Sequence, residues 1–175
     1  MKSNLKYSLS VILDHEGGWS DHPSDPGGAT MKGITLSTYS KYLGRQASRD
    51  ELLNIPHEHV CVIYKNKFWE ACWCDELPSG LDLCVFDMAV NSGPSRAAKM
   101  LQRIVGAEPD GFVGQKTIAA VKAKAESNGI LFLIEEFQKA RQHYLEALPT
   151  FSTFGKGWTR RVDKTRDLAL KMANG

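Results

Sequence analysis

No apolar run in this 175-residue chain is long enough to cross a membrane. Near the N-terminus only Leu9 to Leu13 is apolar, too short for a signal-peptide core. The expectation is synthesis in the cytoplasm without an export signal and no stable membrane insertion. Charge of one sign is also lacking: 22 basic against 20 acidic side chains leave +2, so no basic field for nucleic acid is implied. The four cysteines, Cys61, Cys72, Cys74 and Cys84, lack paired Cys-x-x-Cys ligands. His57 and His59 lie close by in sequence, but reduced core thiols are the expected state rather than zinc ligands or disulfides. There is no internal repeat, low-complexity tract, coiled-coil heptad or long linker, and neither glycine pair leads into the Gly-Lys-Ser/Thr of a phosphate loop. What is left, at 42% hydrophobic and 24% charged residues, is an ordinary globular composition. The length allows one fully cored domain, or one with a small appended lobe.

Against this plain background one stretch stands out. Glu16 to Thr35 holds five glycines, two prolines and three carboxylates, a density of turn formers that a linker does not need. Before it, Leu5, Leu9, Ile12 and Leu13 recur at helical spacing after Ser3, an expected N-cap, so about Asn4 to Glu16 reads as an amphipathic helix. Glu16 falls on the apolar stripe, four residues after Ile12, and Gly17-Gly18 ends the helix. The alternative is a glutamate turned out to water. Asp25-Pro26-Gly27-Gly28 is a turn signal that suits a short hairpin or irregular ribbon.

The remaining pattern is helical. Ser48-Arg49-Asp50-Glu51 fits a capping box, and Pro56 opens a helix with Val60, Ile63, Tyr64, Phe68 and Ala71 on one face. Phe68, Trp69 and Trp73 are expected in the core. Leu81 to Val90 reads as a buried central helix with Asp82 and Asp87 as polar exits. Asn91-Ser92-Gly93-Pro94 breaks it, and Asn91 is a candidate to bind a sugar amide or hydroxyl, with a left-handed C-terminal cap as the alternative. Helical spacing resumes at Ala97 and stops at Gly106. Asp110 to Gly114 forms a compact turn, Asn128-Gly129 punctuates, and a long helix closes at Pro149. Phe151 to Trp158 reads as an aromatic loop ahead of a basic terminal helix with Arg160, Arg161, Lys164 and Arg166. Trp158 beside those cations is a candidate to stack on sugar rings; a solvated face also explains the charges.

Two carboxylates around one turn-rich loop suit glycoside hydrolysis, which needs a protonated group at the leaving oxygen and an ionised one at the water or anomeric carbon. An apolar setting favours the protonated form of a carboxyl, which makes Glu16 the natural acid. Asp25, in a polar turn, is the natural base or electrostatic stabiliser, with Asp21 as its alternative. Thr30 is a candidate to hold the attacking water.

Glu16-Gly17-Gly18-Trp19, Asp25-Pro26-Gly27-Gly28-Ala29-Thr30 and Gly33-Ile34-Thr35 together resemble the N-terminal signature of glycoside hydrolase family 108, muramidases of phage-lysin and secretion-associated type. Phe86-Asp87, Ala89-Val90-Asn91-Ser92-Gly93, Leu101-Gln102 and Asp110-Gly111-Phe112-Val113-Gly114 with Thr117 are similar to the peptidoglycan-binding region that accompanies it. The resemblance implies a mainly α, lysozyme-like helical fold with a small irregular β/loop element around the active site. It implies a muramidase region over 1–92, and a helical region over 93–175 that resembles the peptidoglycan-binding domain and packs as one body with the first. The implied activity is cleavage of the β-1,4 bond between N-acetylmuramic acid and N-acetylglucosamine in peptidoglycan glycan strands, bacteriolytic and endolysin-like. Glu16 is its expected essential acid, Trp19 and Trp158 join Asn91 as expected substrate contacts, and no metal or organic cofactor is called for. The Glu16-to-Asp25 spacing also matches phage-type lysozymes, although Thr30 follows Asp25 by five positions where those enzymes have six. An enzyme made without an export signal would need a holin-like or other export partner to reach the wall. A lytic transglycosylase and a non-catalytic wall-binding module are the alternative readings.

Overall fold

A computed structural model describes residues 4–21 and 28–175. Asp25 and the expected N-cap Ser3 lie outside the described residues. The chain divides into two compact units, Lys6–Asn66 and a second made of the first five residues with Lys67–Gly175. The fold is mainly α, with one small antiparallel sheet, as the lysozyme-like reading requires. Among the described residues no helix is long and apolar enough to cross a membrane.

In the first unit α1 (Leu5–His15) buries Ser8, Leu9, Val11 and Ile12. The Glu16 N–H still donates to the Ile12 carbonyl at 3.1 Å, so Glu16 closes the last turn. Three two-residue strands follow, β1 (Trp19–Ser20), β2 (Thr30–Met31) and β3 (Ile34–Thr35), in the order 1-2-3. Trp19 pairs with Met31 and Ser20 with Thr30; Thr30 pairs with Thr35 and Met31 with Ile34. Between β2 and β3 the two-residue loop has Lys32 at φ 50° and Gly33 at φ 74°. Two consecutive positive φ values give the mirror-image turn whose twist matches that of a hairpin, and glycine occupies its second position without strain. Thr35 then caps α2 (Leu36–Leu43), accepting from the Thr38 N–H at 3.1 Å. The capping box forms as read: Ser48 Oγ accepts from the Glu51 N–H and Glu51 from the Ser48 N–H, opening α3 (Arg49–Leu53). Pro56 is the N-cap of α4 (His57–Tyr64), which buries Val60, Ile63 and Tyr64.

The expected face Val60-Ile63-Tyr64-Phe68-Ala71 does not continue past Tyr64. Lys65–Trp69 is a π-helical turn, and the extra residue in a wider turn advances the buried position from Phe68 to Trp69. Trp69 is fully buried, with its ring edge-on to Phe86 at 5.2 Å; Phe68 is half-buried and Ala71 exposed. Trp73, expected in the core, is 40% exposed. Burial pushes the Cys72 and Cys84 thiols up to about 12 and the Cys74 thiol well above its ordinary range. Cys72, Cys74 and Cys84 lie in the core as expected, whereas Cys61 is half-buried.

The second unit is helical: α5 (Leu81–Ser92), α6 (Pro94–Val105), α7 (Gln115–Asn128), α8 (Ile130–Glu146) and α9 (Phe151–Asn174). Two expectations fail here. Residues 151–158 are the first two turns of α9 and not a loop. Phe151, Phe154 and Trp158 recur at helical spacing and pack ring against ring, with Trp158 6.2 Å from Phe151 and 5.8 Å from Phe154. Buried Gly155 leaves room for the Phe151 ring, whose carbons would lie 2.8 Å from any Cβ there. Side-chain packing outweighs the low helix propensity of Gly155 and Gly157.

Asp82 and Asp87 are not exits to solvent either; both are buried. Asp82 accepts from the Gly80 N–H (2.8 Å), the Leu83 N–H (2.7 Å) and Asn4 Nδ2 (2.7 Å). Burial nevertheless outweighs these bonds and raises its pKa. Asp87 meets Arg141 Nη1 at 2.6 Å, Arg161 Nη2 at 2.6 Å and Nε at 2.9 Å, and Thr165 Oγ1 at 3.0 Å. Burial alone would push its carboxyl up, but the Arg141 and Arg161 guanidiniums win and hold it well below the carboxylate range. The expected compact turn at Asp110 to Gly114 is pinned by buried Gln102. Its Nε2 donates to Asp110 Oδ1, the Phe112 carbonyl and Thr117 Oγ1, and its Oε1 accepts from the Gly111 N–H.

Candidate functional site

The first unit assembles a carboxylate on a backbone wall. Helix α1 delivers Glu16 at its C-terminal end, half-buried. The hairpin between β2 and β3 delivers Gly33, which is exposed and lies directly against that carboxylate. A Cβ built on Gly33 would sit 2.8 Å from Glu16 Oε2 and 2.7 Å from Tyr64 Oη. Both distances are shorter than a Cβ contact normally allows, so a side chain at this positive-φ position would have to push the Glu16 carboxylate or the Tyr64 hydroxyl aside. Tyr64 reaches it from α4 and donates to the Lys32 carbonyl at 2.7 Å, fixing the turn that carries Gly33. The result is a half-buried carboxyl set against the backbone of a hairpin turn.

The same sheet carries two other residues singled out from sequence. Trp19 on β1 is 38% exposed, presenting ring surface beside the hairpin strand it pairs with. Thr30 on β2 is half-buried, in register with Ser20 and Thr35. Asp21, the alternative to Asp25, is held by Arg49 Nη1 at 2.9 Å. Asn91 and Trp158 belong to the second unit. Asn91 is exposed within the last turn of α5; the cap is Gly93, whose N–H bonds the Ala89 carbonyl, so the reading of Asn91 as a left-handed cap fails. Trp158 is half-buried against Phe151 and Phe154. Among the described residues no three His, Cys, Asp or Glu side chains are grouped to hold a metal ion.

Tyr64 is the residue that sequence reasoning assigned only to the apolar face of its helix. Its signal was present: a phenol among aliphatic positions must find a partner for its hydroxyl when buried. The sequence motif that holds Gly33 does not by itself reveal that this residue makes room for the carboxylate.

Two family models match the chain, glycosyl hydrolase 108 over residues 9–93 and a predicted peptidoglycan domain over residues 96–163. The division between them falls near residue 94, whereas the compact units divide at Asn66. Among curated proteins no relative matches. Among solved structures the chain is similar to SagA of Brucella abortus, at 42% identity over 100% of this chain and 98% of that one, with a TM-score of 0.87. Its Glu-Gly-Gly-Trp entry, its hairpin wall and these matches make the chain a member of the glycosyl hydrolase 108 family, a glycoside hydrolase acting on peptidoglycan.

Proposed function

We propose that the protein is an N-acetylmuramidase that hydrolyses the β-1,4 bond between N-acetylmuramic acid and N-acetylglucosamine, with Glu16 as general acid. The observation that carries this reading is the approach of the Glu16 carboxylate to the Gly33 hairpin. Both residues lie within the stretch the hydrolase family model matches. Glu16 protonates the departing sugar oxygen while Asp25 serves as base toward water or as stabiliser of the positively charged sugar. Asp21 is the lesser candidate for that second role because Arg49 already holds it. Thr30 orients the water, and Trp19 offers a ring face to a sugar. Residues 1–92 do the chemistry in this reading; residues 93–175 grip the wall, with Asn91 and Trp158 as further glycan contacts.

The biological form is a bacteriolytic, endolysin-like enzyme, made in the cytoplasm and released to the wall by a holin-like or other export partner. The test of the bond is mass spectrometry of muropeptides released from purified sacculi after borohydride reduction. Reduced muramic acid ends are expected. Reduced glucosamine ends, or 1,6-anhydro ends of the transglycosylase kind, would contradict the assignment.

A further inference from the structure

The second unit contains a cavity of about 570 Å³ that the chemistry at Glu16 does not use. This is within the size range of small-ligand sites. It opens between α6 and α8, beside the corner Ser92–Ser95. Arg96, Lys99 and Arg103 lie on one face of α6 at spacings of three and four, and all three line it; no acidic residue does. Arg96 is fixed in two ways. Its Nη1 donates to the Ser92 carbonyl at 3.1 Å, and its guanidinium lies 5.0 Å from the centre of the Tyr144 ring. Lys99 runs its stem along the turn at Gly111, where a Cβ would be 3.0 Å from Lys99 Cε. Among the described residues neither Lys99 nor Arg103 has a carboxylate partner. The N-terminus of α6 adds its own positive end at the same corner, with no side chain capping it. The floor is apolar, from Met100, Ile104 and Ala140.

Three cations and a helix N-terminus around a partly apolar cavity define a ligand that is anionic, small in each group and partly aliphatic. Guanidinium pairs with carboxylate in two parallel hydrogen bonds, and a cation held over a ring keeps its donors presented. On the reading of peptidoglycan as substrate, the part of the polymer with that chemistry is not the glycan but the short acidic peptide attached to muramic acid. It joins carboxylates to alanine methyls and methylene chains. We propose that this cavity is a binding site for the carboxylates of the peptidoglycan stem peptide, with Arg96, Lys99 and Arg103 as its anion-binding residues.

The test is calorimetric titration of the full chain with the free stem tetrapeptide, alanyl-γ-glutamyl-diaminopimelyl-alanine, and with the same peptide amidated at its carboxyl groups. Binding of the acidic peptide is expected, weakened about tenfold or more by amidation. The K99Q/R103Q variant, with its melting temperature compared to wild type, should lose affinity by a similar factor. Arg103 is exposed and Lys99 half-buried, and the amidated ligand tests the site without any substitution. No binding of the acidic peptide, or equal binding of both peptides by wild type, overturns the proposal. So does an affinity for the acidic peptide that the folded variant retains in full. Glycan strands stripped of peptide separate this from the muramidase reading. Cleavage of those strands with no carboxylate-dependent peptide binding sinks the site alone; carboxylate-dependent binding with no glycosidic bond broken in strands or sacculi sinks the muramidase reading alone.

Discussion

The two units handle buried polarity in opposite ways. In the helical unit Asp87 is enclosed: two guanidiniums and a threonine hydroxyl surround it, its exposure is 0%, and its partners lie on α8 and α9, far along the chain. In the unit of short strands Glu16 is left half-buried beside a glycine hairpin, with Gly33 exposed next to it. The Asp87 carboxylate is held by two guanidiniums, whereas the Glu16 carboxylate lies against a hairpin turn where Gly33 leaves it room. The difference predicts which substitutions cost stability and which cost activity.

The largest stability effect is expected at Asp87. Asp87→Asn leaves Arg141 buried opposite a neutral amide, a loss of about 3–5 kcal/mol in urea unfolding. The folded pKa of Asp87 lies below its unfolded value of about 3.9. The unfolded chain therefore binds the extra proton first, and the stabilisation is complete above that pH and lost as pH falls through the acid range toward the folded pKa. The variant should lack this part of the acid slope. Where it remains folded it should retain its rate of reducing-end release. A stable but inactive Asp87→Asn protein would break the comparison.

Gly33→Ala should do the reverse. The positive φ costs about 1–2 kcal/mol, while the new methyl must displace the Glu16 carboxylate or Tyr64 hydroxyl. Displacement by about 1 Å is expected to cost on the order of 100-fold in turnover. Steady-state kinetics beside a melting curve would show activity lost out of proportion to stability; a wild-type rate would remove Gly33 from the site. Tyr64→Phe deletes the bond to the Lys32 carbonyl, about 1 kcal/mol, and should slow turnover several-fold by loosening the hairpin. Asp21→Asn is the smallest change. Its pair with Arg49 is largely exposed and worth at most about 1 kcal/mol. An activity loss at Asp21 as large as that at Glu16 would transfer the second carboxylate's role to it.

Much of the local structure was legible because its signals are local. The Ser48–Glu51 capping box and Asn128-Gly129 each fix an element boundary by their own backbone chemistry, and the apolar spacing of Leu9 and Ile12 marks the buried face of α1. The errors arose where distant residues decide. Asp82 and Asp87 read as exits because the groups that satisfy Asp87 lie 54 and 74 positions away. Residues 151–158 read as a loop because Gly155 and Gly157 weigh against helix, and the packing of the Phe151, Phe154 and Trp158 rings reverses that. At the site, the position of Glu16 at the end of an apolar helix was visible. Its neighbours were not: Gly33 and Tyr64 reach it from a hairpin and a later helix, a convergence that no spacing rule contains.

The central claim is that Glu16 carries the chemistry and not the fold. Its most direct test is the rate of reducing-end release from purified peptidoglycan by Glu16→Gln, measured beside thermal unfolding of the same protein. An unfolding midpoint close to wild type is expected, with a rate lower by a factor of about 100 or more, the scale on which a general acid contributes. A folded Glu16→Gln enzyme that releases reducing ends at the wild-type rate would contradict it.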